Sequence, residues 1–246
     1  MKHAAEYFAN LHAVLDRIAS SQPEPLTRAV TAITQSVARG GVVHIFGCGH
    51  TQMLALEVWY RAGQPAFISP VFDPGLWPQN APLKGTELER LPGYGTLLAR
   101  HHDVQPGEVA IIISNSGRNP APIEVALNFK ERGLQIVAVT SMDYATTVPS
   151  RHASGKRLHE LADIVLDNAG PAGDASIALP DGRRAAPITT ITNAALLGAI
   201  FLEVDFALHQ QGIEPPVFTS VNMDRDASPN LSYAARYAGR VKYYVG

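Results

Sequence analysis

Short apolar runs rich in β-branched residues alternate with helical segments along most of this chain. In order, the runs are VVHIF (42–46), AFISP (66–70), VAIIIS (109–114), QIVAVT (135–140) and DIVLDN (163–168). Runs that are apolar throughout, rather than at every second residue, are typical of strands buried on both faces of a parallel sheet. The alternation therefore predicts an α/β fold: a three-layer α/β/α sandwich with a mostly parallel central sheet.

Helical patterns also stand at both ends of this alternation. The N-terminal segment repeats apolar residues at three and four positions, and a second pattern ends at Gly40 and Gly41. A 246-residue chain that is 46% hydrophobic can bury one large core, and no linker interrupts it. We therefore expect one domain over 1–246. It is divided into N-terminal helices (3–39), a regular core (about 40–211) and an irregular tail (212–246). A Pro- and Gly-rich excursion at 71–95 is long enough to suggest a functional loop.

Charge and cysteine content limit the classes of partner. The net charge is −2, with acidic and basic residues mixed, so neither nucleic acid nor an anionic membrane is expected as the main partner. Cys48 is the only cysteine, which fits a reducing compartment. The longest apolar stretch (194–204) is too short to span a bilayer. We expect a soluble, cytoplasmic protein.

Small polar and glycine-rich loops follow three of the predicted strands. They are Gly47–Thr51 (GCGHT), Ser114–Asn119 (SNSGRN) and Thr140-Ser141. The carboxyl ends of parallel strands meet at one edge of a sheet, where ligands bind. Glycine lets backbone N–H groups approach a ligand, and a helix N-terminus attracts an anion. Together the loops predict a cradle for a single phosphate group.

Three rival motifs fit less well. A dinucleotide fingerprint needs a third glycine where Gln52 stands, and an acidic residue where the second strand ends at Ser69-Pro70. The segment around Lys156 lacks the first glycine and the final Ser/Thr of a P-loop. A nucleophile elbow around Ser116 would need glycines at both flanking positions.

The loops resemble those of the sugar isomerase (SIS) domain, a flavodoxin-like fold that binds phosphosugars in aldose–ketose isomerases and related proteins. GCGHT resembles the family's Gly-x-Gly-x-Ser/Thr element and SNSGRN its Ser-x-Ser-Gly-x-Thr/Asn element. The match covers roughly 30–210. Longer segments, including SNSGRNPAPIE and SGKRLHELADIVLDN, are similar to a group of stand-alone SIS proteins.

The resemblance implies a set of ligand-binding residues. They are Gly47, Gly49, His50, Thr51, Ser114, Asn115, Ser116, Gly117, Arg118, Asn119 and Ser141, to which we add Lys156 as a contact for a second anionic or hydroxyl group. It also implies a homodimer or homotetramer with sites near subunit interfaces. No metal or organic cofactor is expected.

Aldose–ketose isomerisation moves a proton between adjacent carbons through an enediol, and so it needs a base. Candidates are Glu57, whose apolar neighbours would raise its pKa, and Glu89 in the excursion. The resemblance implies a histidine that assists ring opening, for which His209 is the candidate. Elimination from a phosphosugar, of the lyase or etherase type, starts with the same proton abstraction. A phosphosugar sensor without turnover is the non-enzymatic alternative.

Overall fold

A five-stranded parallel sheet forms the centre of the protein. The computed structural model describes residues 1–223 and 226–244. The strands are β1 (Val43–Gly47), β2 (Ile68–Pro70), β3 (Val109–Ile113), β4 (Gln135–Thr140) and β5 (Ile164–Asp167). Their order across the sheet is β2-β1-β3-β4-β5, and every pair is parallel. Since β3, β4 and β1 are nearly fully buried, as their continuous apolar runs predict, helices must cover both faces.

Successive strand residues point to opposite faces and build two separate cores. Ile45 and Ile111 pack on one face, against α1 (Lys2–Ser21), α2 (Pro23–Ala38), α3 (Gln52–Val58), α9 (Thr189–Gln210) and α10 (Pro229–Tyr237). Phe46 and Ile112 pack on the other, against α4 (Pro82–Arg90), α5 (Tyr94–Arg100), α6 (Pro120–Glu131) and α8 (Leu158–Leu161). The predicted three-layer α/β/α architecture is confirmed. A short helix α7 (Met142–Ala145) follows β4.

The long helix α9 belongs to one of the two helical layers. Its length and apolar character would allow it to cross a membrane. However, Leu197, Ile200 and Phe201 are buried against the sheet with residues of the core. The helix therefore covers one sheet face, which explains its high apolar content.

Several local predictions need correction. The excursion at 71–95 is largely ordered as a 3₁₀ turn (Pro74–Leu76) and α4, and α5 begins at Tyr94. The helix after the first loop, α3, ends at Val58, because Trp59 is extended and Tyr60 has φ 48°. An antiparallel hairpin, β6 (Ala175–Ala178) and β7 (Arg184–Pro187), precedes α9 and was not predicted.

The C-terminal tail is only partly irregular, because contacts with the rest of the chain order much of its described part. The Ala66 N–H donates to the Pro216 carbonyl (2.8 Å), which extends the sheet edge beside β2. Helix α10 follows, beginning at a proline that suits the first helical position. The Arg240 guanidinium then pairs with buried Glu108 (Nη1–Oε1 2.9 Å). These contacts hold the tail against the segments that precede β2 and β3.

Candidate functional site

The two glycine-rich loops leave adjacent strands at the same edge of the sheet. Gly47 at the end of β1 stands opposite Ile113 at the end of β3, and both strands are parallel. The first loop turns so tightly that a Cβ on Gly47 would lie 2.5 Å from Thr51 Oγ1. Gly49 and Gly117 both have φ +58°, a left-handed conformation that favours glycine. The backbone can therefore approach a ligand closely at both loops.

Gln52 explains why the first loop lacks a third glycine. Its side chain is fully buried, accepts from the Asp73 N–H (2.7 Å) and donates to the Asp73 carbonyl (3.3 Å). The amide thus ties the loop after β1 to the loop after β2. Asp73 in turn accepts from the Tyr94 hydroxyl (2.8 Å) and orders the start of α5. In this chain Gln52 therefore stabilises the two loops that it connects.

The second loop is anchored by the Asn115 side chain. Its Nδ2 donates to Thr189 Oγ1 at the start of α9 (2.8 Å), and its Oδ1 accepts from buried Asn168 (2.7 Å). Ser114 Oγ accepts from the Gly117 N–H (3.3 Å) and shapes the turn. Within the described residues no group hydrogen-bonds the half-exposed Ser116 hydroxyl. Asn115 therefore fixes the loop, while Ser116 is the hydroxyl available to a ligand.

The remaining predicted binding residues differ in their accessibility. Ser141 is buried, and its hydroxyl donates to the Gly170 carbonyl (2.6 Å) while capping α7. His50 and Lys156 are exposed. Thr51 Oγ1 donates to the Cys48 carbonyl (2.7 Å). Ligand contacts by these residues stay predictions, although the bonds of Ser141 and Thr51 show that both already stabilise loops.

Glu89 lies where the two loops meet. Its Oε1 accepts a hydrogen bond from Asn119 Nδ2 (2.8 Å), at the N-terminus of α6. Burial raises the pKa of Glu89, while the Asn119 hydrogen bond and the charges of Arg90 and Arg151 oppose that rise. Burial also raises the pKa of the Cys48 thiol, and the nearby Glu89 charge adds to the effect. Glu89 is therefore a shielded carboxylate close to both loops.

Glu57 has a different environment from the one expected. It forms an i, i+4 ion pair with Arg61, and 39% of its side chain is exposed. The apolar surroundings predicted for it are wrong, because Glu57 lies on the open side of α3. Of the two proposed bases, only Glu89 contacts a residue of the predicted cradle.

His209 is remote from the loops of its own chain. The first turn of α9 meets the site through Thr189, whereas His209 lies exposed in the last turn. At about 1.5 Å per residue, the two positions are about 30 Å apart along the helix. Within one chain His209 does not reach the other predicted residues.

Two features of the site were missed by the sequence analysis. Asp174 accepts from the Ile188 and Thr189 N–H groups (3.2 and 2.8 Å) and so holds the start of α9 at the site. Arg151 Nη1 donates to Asn119 Oδ1 (2.9 Å). Neither contact has a local sequence signal, since the partners are 14 or more residues apart. Over residues 1–223 and 226–244, no group of three His, Cys, Asp or Glu side chains converges to hold a metal ion.

Comparisons with known proteins show the family to which this chain belongs. A family model for the SIS domain matches residues 6–141. The chain therefore belongs to the SIS-domain family. More particularly, it is 36% identical over 241 residues to the UPF0309 protein GK1441 of Geobacillus kaustophilus, covering 98% of this chain and 96% of that relative.

Two solved structures share the fold at low sequence identity. The phosphoheptose isomerase GmhA from Neisseria gonorrhoeae has a TM-score of 0.56 at 18% identity, covering 83% of this chain and 98% of the other. The Vibrio vulnificus NanR protein complexed with ManNAc-6P has a TM-score of 0.50 at 17% identity, covering 85% and 63%. At these identities the similarity concerns the fold.

Proposed function

We propose that this protein is a soluble, cytoplasmic enzyme that binds a sugar phosphate and isomerises it between aldose and ketose forms. The observation that carries the proposal is the Glu89–Asn119 hydrogen bond (2.8 Å), which holds a shielded carboxylate beside the phosphate cradle. Membership of the SIS family and the ligands in the names of its structural neighbours, a phosphoheptose isomerase and a ManNAc-6P complex, support a phosphosugar.

The phosphate would be bound by neutral donors. Gly49 brings the backbone of the first turn close to the ligand, and the Ser116 hydroxyl adds a side-chain donor at the second turn. The N-terminus of α6, which follows the second loop directly, contributes partial positive charge. These groups fix one end of the sugar and leave the carbonyl end to reach Glu89.

Glu89 would act as the base. The ionised carboxylate takes the proton from the carbon beside the carbonyl, which gives an enediolate. The proton of the neighbouring hydroxyl moves to the former carbonyl oxygen, and Glu89 returns its proton to the former carbonyl carbon. Burial raises the pKa of Glu89, which makes its ionised carboxylate a stronger base. Asn119 orients it by donating to one oxygen, so that the other faces the substrate.

A second subunit would complete the site. Helix α9 exposes an apolar stripe that includes Ile191 (43% exposed), Leu202 (56%) and Phe206 (60%). Exposed apolar stripes of this kind mark interfaces. If two copies of α9 pack antiparallel about a two-fold axis, His209 of one copy lies beside Thr189 of the other. His209 would then assist ring opening in the neighbouring site.

The first test is proton exchange at C2 of candidate sugar phosphates in deuterated water. We expect the wild-type protein to incorporate deuterium, and Glu89→Gln to lose at least about 100-fold in rate, as removal of a general base does. Glu57→Gln is the matched control and should keep nearly full activity. Retained exchange in Glu89→Gln would refute its role as the base.

Exchange also tests the competing functions. An elimination shows the same exchange but releases a substituent, which product analysis detects. A sensor binds the sugar phosphate without exchange. Absence of exchange with hexose, amino-sugar and heptose phosphates would contradict an isomerase.

A further inference from the structure

Three arginines surround the Asn119 end of the cradle: Arg90, Arg118 and Arg151. The Arg151 N–H donates to the Arg118 carbonyl (2.8 Å), which places the two residues side by side. The Arg151 guanidinium also donates to Asn119 Oδ1 (2.9 Å). The same amide donates to Glu89, the residue before Arg90. These three residues, called the arginine cluster below, come from three separate segments of the chain.

The charge of the arginine cluster is poorly neutralised. Over residues 1–223 and 226–244, none of its members forms an ion pair with a carboxylate, whereas Arg17 and Arg240 each have two. The Arg118 Nε atom is buried and has no partner within that part of the chain. Burial, and then the charges of Arg118 and Arg90, lower the pKa of Arg151. The guanidinium groups therefore repel one another, and Glu89 offsets only part of their charge.

The arrangement favours a bound anion. Arg90 and Arg151 are exposed, so solvent screens part of their repulsion from Arg118, and an anion bound between the three would relieve the rest. The planar guanidinium group matches carboxylate and phosphate oxygens in a two-pronged geometry. Lys156 is exposed, as Arg90 and Arg151 are, and its charge lies on the same loop as Arg151.

The cradle does not need these charges for the first phosphate. The backbone at Gly49 and the Ser116 hydroxyl are available for it, and the α6 N-terminus adds partial positive charge. We propose that the arginine cluster binds a second anionic group, so that the substrate is a phosphorylated sugar with an additional carboxylate or phosphate. This inference rests on the proposed function. In this proposal Arg118 binds the second anionic group and does not bind the phosphate in the cradle.

The test compares ligands that differ only in the second anion. One pair is sorbitol 6-phosphate and 6-phosphogluconate, which differ by a carboxylate. The other is fructose 6-phosphate and fructose 1,6-bisphosphate, which differ by a phosphate. Calorimetric titration of wild-type protein should show about tenfold tighter binding of the doubly anionic member of at least one pair. The pair with the larger ratio identifies the chemistry of the second group.

Variants assign the preference to the cluster. Arg90→Gln and Arg151→Gln should reduce the ratio to about twofold or less while affinity for the singly phosphorylated member changes little. Arg183→Gln, an exposed arginine on the β6–β7 hairpin, is the matched control and should keep the ratio. Unchanged melting temperatures would show that the variants fold.

Other outcomes overturn the inference in distinguishable ways. Equal affinity within both pairs refutes the second anion but leaves the proposed function standing, because a phosphosugar is still bound. An equal loss for both members in the arginine variants shows that the cluster serves a single phosphate. No binding of any of the four ligands contradicts both the inference and the proposed function.

Discussion

At the residue scale, Glu89 illustrates how function conflicts with stability. Burial raises its pKa above 4.5, so that folding favours the protonated carboxyl group. A base must be ionised, and burial disfavours the ionised form of this carboxyl group. The hydrogen bond from Asn119 and the charges of Arg90 and Arg151 reduce that conflict without removing it.

This conflict predicts a pH-dependent effect of Glu89→Gln on stability. Because the folded-state pKa is raised, the contribution of Glu89 is fully present below pH 4.5 and is lost as the pH rises through the folded-state value. The variant should therefore be more stable than wild type at pH 7.5, with the difference shrinking towards pH 4. Urea unfolding at both pH values measures it. A difference that is the same at both values would show that Glu89 is not desolvated.

At the element scale, Glu124 links α6 to the helix that follows Glu89. This buried carboxylate accepts from the Gly93 and Thr96 N–H groups (2.6 and 3.1 Å) at the N-terminus of α5. A carboxylate there satisfies free N–H groups and interacts favourably with the helix dipole. The contact fixes where α4 ends and α5 begins, and so fixes the position of Glu89.

We therefore predict that Glu124→Ala destabilises the fold. Glu124→Ala removes the acceptor of two N–H groups at the start of α5, and loss of a helix cap costs about 0.5–2 kcal/mol, so the free energy of unfolding should fall by about 1 kcal/mol. Glu124→Gln keeps an acceptor and should lose less. Glu131→Ala, an exposed residue in the last turn of α6, should change stability by less than about 0.5 kcal/mol. Urea denaturation compares the variants, and similar losses for Glu124→Ala and Glu131→Ala would contradict the capping role.

At the scale of the whole molecule, the apolar stripe on α9 connects assembly with catalysis. Its residues face away from the core although the opposite side of the same helix is fully buried. Because the first turn of α9 also holds Asn115, an interface along this helix reaches the predicted site. The proposed antiparallel pairing makes each site depend on two chains.

Subunit mixing tests this dependence. Glu89→Gln and His209→Ala should each be inactive alone, whereas mixed dimers contain one site with both native residues. Random mixing should restore about a quarter of wild-type activity. No restoration, with dimers present by light scattering, would contradict a shared site.

Variants of the apolar stripe on α9 test whether this surface is the interface. Leu202→Glu combined with Phe206→Glu should yield a monomer in light scattering. Leu231→Glu, an equally exposed position on α10, should leave the assembly unchanged. A double variant with unchanged mass would show that α9 is not the interface.

The layers of the fold and the turns of the candidate site could be predicted from local sequence patterns. Continuous apolar strands identify a parallel sheet because burial on both faces leaves no polar positions, as in β3. Gly47, Gly49 and Gly117 mark the turns because their backbone geometry excludes side chains or requires positive φ. These are local properties, and a local pattern is sufficient to predict them.

Which side chains contact each other could not be predicted from the sequence. In the sequence, Glu57 and Glu89 were both candidates for the base. In the structure Glu57 pairs with Arg61 at the surface, whereas Glu89 contacts Asn119. The arginine cluster joins segments far apart in the chain, and the tail is ordered by contacts with residues before β2 and by Glu108. Such contacts depend on how distant segments pack, and no pattern within a single segment records that packing.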